Sequence, residues 1–110
     1  MQRCTQSDRS LCPAFDVKAV VDIAQSAETD PEAKDDNGNL LKEQLWVVYY
    51  ATDGDFTTSL RLVNDATTGP NPDHGTKFRA PTTPGTVRLF GVVHDNRGGV
   101  AWALGKVVVD

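Results

Sequence analysis

Apolar runs in this chain are short, and none of its 110 residues sits in a stretch approaching the roughly 18 that a membrane-spanning helix needs. Basic residues are in the minority, 11 Lys and Arg against 15 Asp and Glu. A surface of that balance does not attract phosphate backbones, so no nucleic-acid partner is expected. Arg97-Gly98-Gly99 is one turn-like triplet and not an RNA-binding repeat. Serine is scarce, and Ser7, Ser10, Ser26 and Ser59 all lie outside any G-x-S-x-G nucleophile turn. No Gly-rich loop runs into a Lys and a helix, as a phosphate cradle requires. An enzyme is therefore not expected, and no cofactor is expected. No N-x-[ST] acceptor occurs.

Cysteine is limited to Cys4 and Cys12, spaced C-x7-C. That spacing is neither the C-x2-C of a zinc knuckle nor that of a thioredoxin-like motif. It suits one local disulfide that ties down the N-terminal stretch, with two buried free thiols as the alternative. A disulfide implies an oxidising compartment. The first residues are polar and carry no apolar core of a signal peptide. Both ends read as if the chain continues into something longer.

What is present points to sheet. Thirteen Val and eleven Thr outnumber eight Leu and one Met, and β-branched residues favour strands. Twelve of the fifteen acids are Asp, which favours turns over helices. The length suits one domain. Residues 1–13 read as an irregular lead and 14–110 as the domain. Phe15, Val17, Ala19, Val21 and Ile23 alternate with mostly polar residues and predict a half-buried strand. Leu45 to Ala51 is apolar on both faces and predicts a central strand. Phe56, Thr58, Leu60 and Leu62 alternate as one further strand. Lys77–Ala80, Val87–His94 and Val100–Val109 complete the pattern, with Asp95 to Gly99 as a hairpin connection. Six or seven strands in an antiparallel sandwich with Greek-key connections follow from this spacing.

Residues 24–43 form an acidic connection, with six acids against Lys34 and Lys42. It is expected to stay extended and solvated, with a short helical turn at 31–34, and to be the preferred site of nicking. Asp35, Asn37 and Asn39 have the first three spacings of an EF-hand loop. Leu40 stands where that loop needs Gly and Trp46 where it needs Glu, so no metal is expected there. A looser calcium site would have to draw on Asp30, Asp35, Asp36, Asp53, Asp55 or Asp95. His74 and His94 each neighbour an Asp, but their spacing to the cysteines fits no metal pattern, and both read as surface or rim residues. Trp46 and Tyr50 share one face of their strand and form a candidate ligand platform. Core packing between sheets is the other use of Trp46.

Three segments have a recognisable cadence: Phe78-Arg79-Ala80-Pro81, then Pro84-Gly85-Thr86-Val87-Arg88-Leu89, then Val92-Val93-His94-Asp95-Asn96-Arg97-Gly98-Gly99. Together they resemble the C-terminal half of immunoglobulin-like modules of the PKD and cadherin-like type. The run from Leu45-Trp46 through Tyr50-Ala51-Thr52-Asp53-Gly54-Asp55-Phe56 is similar to part of related repeats in bacterial envelope and lipoprotein-like proteins. Tyr49-Tyr50-Ala51-Thr52-Asp53-Gly54 stands where the best-known PKD repeats carry W-x-F-G-D-G. The resemblance implies an immunoglobulin-like β-sandwich in an extracytoplasmic place: periplasm, cell surface or secreted. It implies a spacer or protein-interaction module of a larger protein, with flanking domains or an envelope protein as partner. A glycan-binding module, with or without calcium, is the alternative.

Overall fold

The computed structural model describes residues 1–20, 29–34, 40–42 and 44–110, with the backbone alone for 29–34 and 40–42. The fold is all-β, apart from a three-residue 3-10 turn at Arg9–Leu11. Ten strands follow in chain order among the described residues: β1 (Ala14–Val17), β2 (Thr29–Lys34), β3 (Leu40–Lys42), β4 (Leu45–Ala51), β5 (Asp55–Phe56), β6 (Leu60–Asp65), β7 (Gly69–Pro70), β8 (Thr76–Arg79), β9 (Gly85–Asp95) and β10 (Val100–Val109). Two antiparallel sheets form a sandwich. One has the order β1-β8-β5, the other β10-β9-β4-β6-β7. Among the described residues β2 and β3 pair only with each other. Eight strands thus build the sandwich, and six of them are four residues or longer, in line with the count expected from turn spacing.

The interior lies between the two sheets. Leu45, Val47 and Tyr49 of β4, Val63 of β6 and Val87 and Leu89 of β9 are buried on one side of the five-stranded sheet. Phe78 of β8 is fully buried opposite them, with the rings of Phe15 and Phe56 at 5.6 and 5.5 Å. Truncating such a ring to Ala typically costs about 3–5 kcal/mol. Period-two alternation is what places these residues on one side. The turn from β4 to β5 depends on Gly54, whose φ of +70° suits a residue without Cβ. A Cβ there would lie 2.6 Å from the Arg79 carbonyl and 2.7 Å from the Phe78 ring.

Several expectations need correction. The strand expected over 15–23 is confirmed only as β1, which ends at Val17. Ala19 stays buried beyond it, and Val21 and Ile23 lie outside the described residues. The single strand expected from Phe56 to Leu62 is two: β5 pairs with β8 in one sheet, β6 with β4 in the other. Thr57 to Ser59 carry the chain between the layers, and period-two alternation across that step is accidental. The helical turn expected at 31–34 is strand, since Thr29–Lys34 and Leu40–Lys42 form an antiparallel pair with a register shift between Asp30 and Lys34. A Pro within a strand is accommodated at such an irregularity. The other residues of the acidic connection lie outside the described ones.

Candidate binding face

The second side of the five-stranded sheet is the one the other sheet does not cover. Cross-strand register places its residues in rows. Leu62, Trp46, His94 and Val100 form the first, and Leu60, Val48, Val92 and Trp102 the second. Tyr50, Phe90 and Leu104 form the third, and Arg88 with Lys106 closes the face on a cationic row. Eleven positions thus run almost without a charge across four strands. Trp102 is 71% exposed, Leu104 73% and Tyr50 52%. Trp46 is half-buried, with its ring stacked on His94 at a centroid distance of 5.6 Å and 13° between planes. β4 is central in the sheet, as expected, but its apolar residues on this side are not there because a second layer covers them.

The structure therefore puts Trp46 and Tyr50 on one outward face, in line with Val48. It adds Trp102 and Leu104, which sequence reading placed only as a shared face of the last strand. Trp46 does not span the sheets; Tyr49 fills that role from the inward side. Its hydroxyl donates to the His74 carbonyl at 2.6 Å and accepts from the Ala19 N–H at 3.1 Å. Burial pushes the Tyr49 hydroxyl pKa up. His74 is not a rim residue but 4% exposed, a correction with a plain cause. The backbone carbonyls of Asn71 and Ala19 each lie 2.9 Å from one of its ring nitrogens, so the polar ring is buried with partners. His94 is half-buried at the strand end, held by the indole.

Cys4 and Cys12 are bonded, with Cα atoms 4.9 Å apart. The disulfide loop carries Arg9, whose guanidinium reaches the Asp55 carboxylate at 2.9 Å. Arg79 grips the same carboxylate at 3.0 Å through Nε and at 2.8 Å through a terminal nitrogen. The hydrogen bond from Arg79 above all, with that from Arg9, holds the Asp55 carboxyl below the ordinary range. Asp95 spends one oxygen on the N–H groups of Arg97 and Gly99 in the β9–β10 turn, and Asp53 accepts from Gly54 and Thr83. These three carboxylates are thus engaged in structural contacts, and no three metal-ligating groups converge among the described residues. Asp35, Asp36, Asn37 and Asn39 lie outside the described residues, as does the side chain of Asp30.

A polar groove of about 490 Å3 lies beside the three-stranded sheet, with Lys18, Arg61, Lys77 and Thr76 among its walls. Arg61 and Thr76 are already engaged. Arg61 donates to the Asp73 carbonyl at 2.6 Å and pairs with its carboxylate at 3.2 Å, and Thr76 accepts from the Thr58 N–H. The outer sheet face is the stronger candidate, because Tyr50, Trp102 and Leu104 each leave more than half of their surface exposed on it. Among the described residues no helix is long and apolar enough to cross a membrane. No protein-family model, curated protein or solved structure matches the chain.

Proposed function

We propose that this chain is a non-catalytic protein-interaction module of the immunoglobulin-like, PKD and cadherin-like type, working outside the cytoplasm as part of a bacterial envelope or secreted protein. The single observation that carries the reading is the exposed apolar face of three rows, from Trp46 to Leu104. Contiguous apolar surface of this kind costs free energy in water and marks interaction sites. Aromatic residues at its centre are the types that dominate binding energy in protein interfaces. The Arg88 and Lys106 row at one end favours a partner whose apolar patch is edged by acids. The Cys4–Cys12 bond supports an oxidising compartment.

The test is capture of a partner from the extracytoplasmic fraction of the source cells, by the native chain and by Trp102→Ser. The native chain is expected to retain a discrete partner. Truncating an aromatic that anchors an interface costs about 2 kcal/mol or more of binding, which weakens the complex roughly thirtyfold. Equal capture by both proteins would defeat the reading. The exposed Tyr50 and Trp102 rings favour one second reading, a glycan platform. Glycan binding that disappears in Trp46→Ala while the far-ultraviolet spectrum is kept would put that reading first.

A further inference from the structure

We infer that β10 is a self-pairing edge, and that two copies of this chain join antiparallel along it to make one ten-stranded sheet. The inference stands on the sheet edge and does not depend on what the outer face binds.

β10 is the end strand of its sheet, ten residues long, paired with β9 on one side only. The direction of its outer hydrogen-bonding groups is fixed by the N-terminal residues. The Met1 amine donates to the Val108 carbonyl at 2.7 Å, the Asp110 N–H donates to the Met1 carbonyl at 2.8 Å, and the Arg3 N–H donates to the Asp110 carbonyl at 3.3 Å. Even-numbered residues therefore turn their backbone groups away from β9. The period of two carries this back to Val100, Trp102, Leu104 and Lys106. Among the described residues nothing pairs with these four, and an unpaired row of this kind is a template for another strand.

The fence at 108–110 leaves 100–106 open, a stretch with Ala103 at its centre. A two-fold axis through Ala103 sets Trp102 opposite Leu104 of the second copy and Val100 opposite Lys106, each twice. All four outward residues are then in hydrogen-bonded pairs, which supply about eight main-chain bonds. Registers shifted toward the C-terminal end do less well. Moving the axis to Leu104 brings Val100 against Val108, whose carbonyl the Met1 amine already occupies. Moving it to Lys106 sets two ammonium groups face to face, which is unfavourable. On the inward side of the seam only small residues meet, Ala103 with Ala103 and Ala101 with Gly105. The assembly also closes. The far edge of the sheet is β7, two residues ending in Pro70, which offers no strand to a third copy.

The experiment is a dilution series by analytical ultracentrifugation on the whole chain, with Leu104→Pro beside it. The Leu104 N–H faces outward, so Pro there removes a donor that β9 does not use. The native chain is expected to sediment with the mass of two chains at high micromolar concentration and to dissociate on dilution. Leu104→Pro is expected to stay at the mass of one chain with an unchanged circular dichroism spectrum. A second pair of variants guards against a folding defect and reads the register. Ala103→Cys meets its own copy across the axis at disulfide distance, whereas Ala101→Cys meets Gly105. Oxidation should cross-link the first and leave the second uncross-linked. A native chain that stays single at every concentration overturns the inference, and so does cross-linking of Ala101→Cys in preference to Ala103→Cys. Trp46→Ala, which lies away from the edge, should keep the doubled mass even if it loses a partner of the outer face.

Discussion

Tyr49 shows how much one side chain holds. Its ring packs in the interior against Phe56, at 5.6 Å between centroids, and its hydroxyl bridges the two backbone segments just beyond the last β1–β8 pair, Val17 with Thr76. Removing the oxygen leaves a buried carbonyl and a buried N–H without a partner, at about 1–3 kcal/mol each. Tyr49→Phe should therefore lower the urea midpoint by the equivalent of about 2 kcal/mol or more, with little change in the slope. An unchanged midpoint would show that water takes over both groups. Nothing in the sequence announces this role. Tyr49 reads as one of two adjacent tyrosines in an apolar run, and its partners lie 25 and 30 residues away. His74 is hidden for the same reason, because backbone carbonyls that bury an imidazole leave no spacing signature.

At the level of elements, the long regular strands were the legible ones. β9 and β10 are eleven and ten residues long, enough for period two to stand out from chance, and β4 is legible as an unbroken apolar run of seven. β5 and β7 are two residues each and carry no period. The alternation from Phe56 to Leu62 misled because the chain changes sheets at Thr57–Ser59 while the parity happens to continue. The candidate face was half legible. Trp46 and Tyr50 share a parity, but which parity faces the second sheet depends on Phe78, in a strand far along the chain. The disulfide lead was legible as a staple, though its target was not. The Cys4–Cys12 loop holds Arg9 over Asp55, and its closure contributes about 2–3 kcal/mol on the chain-entropy account. Reducing it, or the double change Cys4→Ser with Cys12→Ser, should lower the denaturation midpoint by that amount. A change of only a few tenths would place the stabilisation in the sandwich alone.

For the molecule as a whole, carboxylates set the acid limit. Asp65 in the β6–β7 turn accepts from the Thr67 hydroxyl and from the N–H groups of Thr67 and Thr68, and its pKa falls to about 2. Asp55 is lowered too, chiefly by Arg79, and Asp8 by Ser10. Depressed folded-state values mean that the stabilisation is complete above the ordinary carboxylate range near about 4 and disappears as pH falls. The melting temperature should be flat from neutral pH down to about 5, then drop between about 4 and 2. Asp65→Asn should flatten the lowest part of that drop, and an identical acid profile in the variant would contradict the assignment. The hydrogen bonds between Met1 and Asp110 also have a mechanical meaning. Met1 and Asp110 lie side by side, so the folded domain adds almost no reach between these two residues. Met1–Arg3 runs parallel to the end of β10, so tension applied at the two ends loads their three hydrogen bonds in shear, all together, and they do not unzip singly. Under load the domain would act as a clasp beside the line of force, and would extend that line only after these bonds had failed.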